Sequence, residues 1–240
     1  MPELSVVIPV YNEAECLEPL WTELREVLDA LGRSYEVIFV NDGSTDGSEA
    51  IIKRLASRND AVRAAVRYVS FESNCGQTAA FDAGFKAARG EVVVTMDADL
   101  QNDPHDIPAL LELIGECDVV VGWRHNRRDG AFKRFQARFA RRYRQKRLGD
   151  RFHDVGCSLK AYKRRCLDGL RLYEGLHRFL PLLFEWEGYQ VAEVKVNHRP
   201  RTKGKTKYRF FRRTREARAD LRAVLWMRKR RLNYRIKEEG

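Results

Sequence analysis

Leu4-Ser5-Val6-Val7-Ile8-Pro9-Val10-Tyr11-Asn12-Glu13 is a mostly apolar run of strand length that passes directly into helix-like sequence. A valine- and isoleucine-rich segment without polar alternation is expected to be buried on both faces, as in a parallel sheet. Asn12 is placed to cap the helix that follows, with Glu15 at capping-box spacing. Leu17, Leu20, Trp21, Leu24 and Leu28 then recur at helical period until Gly32. The unit repeats. A strand over 35–40 leads through an Asp-, Gly- and Ser-rich turn to a helix marked by Ile51, Ile52 and Leu55. A strand over 66–71 leads to a helix over 78–89, and a strand over 91–96 completes the series. Strand–helix alternation at these lengths predicts an α/β fold, a mostly parallel sheet with helices on both faces. Ligands of such sheets sit beyond the carboxyl ends of the strands. That places interest on residues 11–13, 41–46 and 97–101.

After Asp103 the pattern changes. A helix over 107–114 and a strand over 118–121 are expected, then Phe132, Phe135, Phe139 and Tyr143 recur roughly every turn among Lys and Arg. Such a basic amphipathic helix either lies on a membrane surface or packs its aromatic stripe on the core. A helix over 167–183, a late strand over 189–196 and a second basic helix from Arg209 onward complete the chain, the last with Leu221, Val224, Leu225, Trp226 and Met227 as its apolar part.

The 240 residues suit one α/β domain with a modest appendage, and 44% hydrophobic content argues against wholesale disorder. The first residues resemble neither a signal nor a transit peptide, and no run of eighteen apolar residues occurs. Five scattered cysteines lack metal-ligand spacing and read as free thiols of a reducing cytoplasm. The net charge of +11 is uneven: residues 124–165 carry 16 Lys/Arg against 3 Asp/Glu, and residues 201–240 carry 16 against 4. An acidic body with two basic segments suits nucleic acid, anionic lipid or phosphorylated ligands.

The chemistry-bearing residues follow the strands. Asp97 and Asp99 end the fourth strand one residue apart. Like charges so close raise one pKa unless a cation lies between them. A hard divalent ion, Mg²⁺ or Mn²⁺, takes oxygen ligands and shares its site readily with a diphosphate, and Gln101 can add an amide oxygen. The alternative is a solvated turn. Gly43 and Gly47 in the second loop allow close backbone approach, and Asp42 can accept from a nucleobase N–H or cap a turn. Pro9 and Tyr11 can flank a flat base while Glu13 accepts from it.

Taken together, Val6–Glu13, Asn41-Asp42-Gly43-Ser44-Thr45-Asp46 and Asp97-Ala98-Asp99-Leu100-Gln101 closely resemble the family 2 glycosyltransferases. Asn74-Cys75-Gly76-Gln77-Thr78-Ala79-Ala80 is similar to that family's donor-side segment. The resemblance implies a GT-A fold, a Rossmann-like nucleotide-sugar-binding sheet. It implies that Pro9, Tyr11, Glu13, Asp42, Gln77, Asp97 and Ala98 bind the nucleotide sugar, and that Asp97, Asp99 and Gln101 hold the metal. Within the family the chain resembles the dolichyl- and undecaprenyl-phosphate branch. Asp154-Val155-Gly156-Cys157-Ser158-Leu159-Lys160-Ala161-Tyr162-Lys163-Arg164 and Arg201-Thr202-Lys203-Gly204-Lys205-Thr206-Lys207-Tyr208 carry that likeness, with Lys for Arg at 160 and 163 and Thr for Ser at 206.

This implies an inverting, metal-dependent transfer from a GDP- or UDP-linked donor to a polyprenyl monophosphate. Arg124, Arg128, Arg201 and Lys207 are the candidates for the lipid phosphate. Asp99 and Asp154 are the candidate catalytic residues; Asp154 either orients a sugar hydroxyl, assists as base or pairs with an arginine. The expected organisation is a catalytic domain over 1–208, with 124–165 facing acceptor and membrane, and a basic helical extension over 209–240. The expected setting is the cytoplasmic face of an anionic membrane, with docking by the basic helices or through a membrane-anchoring partner subunit. A soluble saccharide acceptor, a silent scaffold and a nucleic-acid-binding module are the competing readings. The last leaves Asp97 and Asp99 unexplained, so no nucleic-acid partner is expected.

Overall fold

A computed structural model describes residues 1–58, 64–125, 131–200, 210–232, 234 and 236–238. Strands β1 (Leu4–Val10), β2 (Tyr35–Asn41), β3 (Ala64–Ser70) and β4 (Val92–Thr95) alternate with helices α1 (Ala14–Ala30), α2 (Ser48–Ser57) and α3 (Gln77–Ala87). After helix α4 (Ile107–Leu113) come β5 (Val119–Arg124), α5 (Ala131–Leu148), β6 (Lys160–Lys163), α6 (Leu180–Trp186), β7 (Val191–Val196) and α7 (Phe210–Arg230). One seven-stranded sheet runs in the order β3-β2-β1-β4-β6-β5-β7. Only β6 is antiparallel to its neighbours β4 and β5; the other pairings are parallel.

Two apolar layers cover the sheet. Leu17, Leu20, Leu24 and Leu28 of α1 pack with Val6, Ile8 and Phe39 on one face. Phe81 and Phe85 of α3 join Val7, Ile38, Val93, Tyr162 and Phe184 on the other. The alternation of odd and even strand residues between the two layers is the period-2 geometry of a strand, and it explains why the β1 sequence is apolar at nearly every position.

Two expectations are corrected, and one element was not foreseen. Asn12 does not cap α1: Glu13 holds the cap position without a side-chain cap bond, and the Asn12 side chain reaches across to Thr45 instead. The helix expected over 167–183 is not continuous: a single 3-10 turn at Leu176–Arg178 precedes α6, which begins only at Leu180. Gly175 there has a φ of 82°, and its backbone lies so close to the Asp220 carboxylate that a side chain would collide. A left-handed residue interrupts an α-helix. The unforeseen element is β6, which falls in the segment 154–164 and carries Lys at both ends; its charge hid it from a hydropathy reading, yet it lies inside the sheet between β4 and β5.

The two basic helices differ in what they show. Tyr143 of α5 is exposed, while Arg144 is tied to Asp150 at 2.8 and 3.0 Å. In α7, Val224 is fully buried against the α3 layer and Leu221, Leu225 and Met227 pack beside it, whereas Trp226 is 63% exposed. Among the described residues no helix is long and apolar enough to cross a membrane.

Candidate functional site

The loops after β1, β2 and β4 meet at one end of the sheet, and the segment before α3 joins them. Asn12, with a φ of 52°, turns its Oδ1 to accept from the backbone N–H groups of Thr45 and Asp46 at 2.7 and 3.3 Å. Its own N–H donates to Ser44 Oγ, and Glu13 N–H donates to Ser48 Oγ, both at 3.0 Å. Asp46 accepts from Ala14 N–H and Ser48 N–H. The first two loops are therefore one rigid platform, with Pro9 and Tyr11 part-exposed on it. Glu13 accepts a weak Cys16 thiol contact at 3.5 Å.

Asp42 is 3% exposed. Its carboxylate accepts from Cys75 N–H at 2.6 Å, Gly76 N–H at 3.0 Å and Asn74 Nδ2 at 2.8 Å. Burial raises its pKa, against the pull of those amides. The donors that Asp42 was expected to find on a base are thus supplied in this arrangement by residues 74–76. Gly43, at φ 64°, lets the backbone of Ser73 and Asn74 pass where a Cβ would sit. We predict that Gly43→Ala costs at least about 2 kcal/mol, the sum of left-handed strain and overpacking, read as a lower urea midpoint with unchanged slope.

Beyond β4, Ala98 and Asp99 are buried and Asp97 is half-buried. Asp97 Oδ1 accepts from Gln77 Nε2 at 2.8 Å, its N–H donates to Asn102 Oδ1 at 2.9 Å, and Ser158 Oγ donates to the same Asn102 oxygen at 2.9 Å. Asp99 Oδ1 accepts from Gln101 N–H at 3.1 Å across Leu100, a second non-glycine residue with positive φ, 63°. A leucine held left-handed is strained by about 1–2 kcal/mol, and such strain concentrates at functional loops. The Asp97 pKa is raised, first by burial and then by the Asp99 charge. Gln101 turns its amide nitrogen to the Arg199 carbonyl at 3.4 Å.

These donors fit a hard divalent cation. Two carboxylates, one of them unfavourably charged where it lies, lose their conflict when a cation joins them. Among the described residues no third His, Cys, Asp or Glu completes a protein-only cage. Mg²⁺-type ions need none, since they keep waters and take one or two carboxylates plus substrate phosphates.

Arg124 and Asp154 form a bidentate pair at 2.6 and 3.0 Å, at 16% and 11% side-chain exposure. Burial works against the arginine charge, but Asp154 outweighs it and the Arg124 pKa is raised. Of the candidate phosphate ligands only Arg124 is described; Arg128, Arg201 and Lys207 lie outside the described residues. Asn102 and Ser158 were not singled out from sequence, whereas Lys160 was noted only as a lysine where the resembling branch has arginine. Asn102 adjoins the Asp97–Gln101 run, which was its only signal; Ser158 reaches Asn102 from the residues just before β6, and Lys160 opens that strand.

The chain is 37% identical over 211 residues to dodecaprenyl-phosphate galacturonate synthase of Rhizobium johnstonii, covering 86% of this chain and 62% of that protein. It is 39% identical over 210 residues to undecaprenyl-phosphate 4-deoxy-4-formamido-L-arabinose transferase of Pseudomonas paraeruginosa, covering 87% and 61%. It therefore spans less than two thirds of the length of these relatives. Glucosyl-3-phosphoglycerate synthase from Mycobacterium tuberculosis, in complex with Mn²⁺, UDP-glucose and phosphoglyceric acid, superposes with a TM-score of 0.67 at 22% identity over 95% of this chain and 79% of that one. The mannosyltransferase PcManGT from Pyrobaculum calidifontis, in complex with GDP-Man and Mn²⁺, gives 0.65 at 19% identity over 97% and 65%. These two establish the GT-A-like fold. Residues 5–171, which hold all four loops of the site, match the family described as Glycosyl transferase family 2, and the chain belongs to that family.

Proposed function

We propose that this chain transfers a sugar from a GDP- or UDP-linked donor to a polyprenyl monophosphate, with inversion at the anomeric carbon, at the surface of an anionic membrane. The observation that carries it is the Asp97–Asp99 pair, set beside a platform built from the β1, β2 and α3 loops. The named activities of the two relatives, which act on dodecaprenyl and undecaprenyl phosphate, support the acceptor class.

Pro9, Tyr11 and Glu13 lie on the platform that would receive the nucleoside, with Asp42 fixing its 74–76 wall. Gln77 holds the Asp97 carboxylate in place at 2.8 Å. Asp97 and Asp99, with Gln101 at their edge, would hold Mg²⁺ or Mn²⁺, which when bound neutralises charge on the leaving diphosphate. The acceptor phosphate is ionised at neutral pH and needs little help from a base, so positioning and charge neutralisation dominate. Arg124 spends its Nε and one Nη on Asp154, which leaves its other Nη for a phosphate oxygen. Asp154 is on this account a positioning residue for Arg124 rather than a base. Residues 1–208 form the catalytic unit, and 209–240 are a basic extension that rests on it through Val224.

Exposed Tyr143, Trp226, Leu232, Tyr234 and Ile236 lie among the cations of α5 and α7 and the residues that follow, an arrangement suited to shallow insertion into anionic headgroups at the cytoplasmic face. The partners are then the donor, the lipid phosphate and the membrane, with a membrane-anchoring subunit if vesicles alone do not suffice. A transfer assay with Mn²⁺ should show product on a polyprenyl phosphate and little on a free saccharide; equal transfer to the saccharide would contradict the acceptor assignment. The Trp226 emission should shift on anionic vesicles at low salt and return as salt rises.

A further inference from the structure

Residues 197–199, which follow β7, bind the loop between β4 and α4 at several points. Arg199 N–H donates to the Gln101 carbonyl at 3.0 Å, and Gln101 Nε2 donates back to the Arg199 carbonyl at 3.4 Å. The Arg199 guanidinium forks: Nη1 meets Glu23 of α1 at 2.5 Å and Nη2 meets Asp103 at 2.7 Å. Asn197 donates its backbone N–H to Asp106 Oδ2 at 2.7 Å and its side-chain amide to Asp106 Oδ1 at 3.2 Å. A planar guanidinium presents its donors in a fixed fork, so one arginine can lock two carboxylates from different elements at a set spacing.

The Asp99-Leu100-Gln101 turn leads straight into this frame. Leu100 has a φ of 63°, a conformation that a leucine keeps only where its surroundings hold it. Within the turn, Asp99 Oδ1 accepts from Gln101 N–H at 3.1 Å. Gln101 is in turn bound to Arg199 through both its backbone carbonyl and its side chain. A carbonyl only accepts, so the Gln101 atom that meets Arg199 is the amide nitrogen, and Oε1 remains the atom available to a hard cation.

Resting on the cation-site assignment above, we infer that Arg199 is a positioning residue for that site: it holds the turn in the left-handed form that sets Asp99 and Gln101 toward one ion. Its charge and its position lead to opposite expectations. By Coulomb attraction alone, losing a positive charge near a bound cation raises the affinity for that cation. Losing the fork lets the turn relax away from its strained form and lowers the affinity.

The Mn²⁺ affinity of the full chain would be measured by calorimetry at saturating UDP or GDP, whichever the wild type binds, beside melts of the metal-free protein. Arg199→Met should weaken Mn²⁺ binding by about tenfold or more, the scale on which losing a residue that orients a metal ligand acts. Arg199→Lys, which keeps the charge and loses the fork, should also bind Mn²⁺ more weakly than wild type. Adding Leu100→Gly to Arg199→Met should recover most of the loss, because glycine takes this conformation without strain. Unchanged or tighter Mn²⁺ binding in Arg199→Met, with or without a lower melting temperature, would overturn the inference. So would a double variant that binds Mn²⁺ as weakly as the single one. Should Arg199→Met fail to fold, Arg199→Lys decides: weaker Mn²⁺ binding supports the positioning role, and wild-type affinity overturns it. If the wild type binds no Mn²⁺ with either nucleotide, the cation site itself fails and the inference with it.

Discussion

Asp99→Ala is expected to lower sugar transfer by about 10³-fold, the scale on which removing charge stabilisation at a leaving group acts, while the metal-free protein melts no lower than wild type. Asp97 and Asp99 lie one residue apart, and the Asp99 charge adds to burial in raising the Asp97 pKa. Deleting one carboxylate removes repulsion from the unliganded fold and removes a ligand from the loaded one. The same logic gives a pH dependence. The folded Asp97 holds its proton more tightly than the unfolded chain, whose carboxyl titrates near 3.8. Stability of the metal-free protein should therefore fall as pH rises from that range through the raised value. Asp97→Asn should flatten the fall. Thermal melts across pH in a chelator, beside transfer rates with Mn²⁺, check both parts. A variant that loses stability and rate together would assign the pair a structural role.

Asp154→Ala is expected to destabilise by about 3–5 kcal/mol, the cost of leaving one partner of a buried ion pair alone. Arg124 and Asp154 are both largely shielded, so solvent does little to screen the loss. Replacing both, Arg124→Met with Asp154→Leu, should recover most of that stability in urea but not the transfer activity, because no guanidinium then remains for the acceptor phosphate. Asp154→Asn, which keeps the shape and one acceptor oxygen, should retain more rate than Asp154→Ala. Equal loss in the two variants, with a flattened pH–rate profile, would make Asp154 a base and contradict its positioning role.

The first half of the fold was legible in sequence because each buried strand there is a run of β-branched residues ending in turn residues. Leu4–Val10 was found with both its ends, and β2 and β4 within a residue or two. The second half obeys other rules. β6 has lysine at both ends, and one of them, Lys160, is among the most buried charged residues described, so its composition speaks for solvent while its position is the sheet interior. The break at Gly175 depends on the approach of Asp220 from α7, a contact between residues far apart in the chain. The site divides in the same way. Asp97 and Asp99 announce themselves because their proximity is written in the chain. The pairing of Arg124 with Asp154, the bond from Asn12 to the second loop and the closure of Asp42 by residues 74–76 join segments 30 or more residues apart, and no local pattern records which charges meet.

Electron paramagnetic resonance of Mn²⁺ titrated into the protein with UDP or GDP tests the carboxylate site most directly. Saturable loss of the free-ion signal, strengthened by one of the nucleotides and abolished in Asp99→Ala, is the expected result. Undiminished free Mn²⁺ in the wild type with either nucleotide, or the same binding in Asp99→Ala, would contradict the assignment of these two aspartates to a divalent ion.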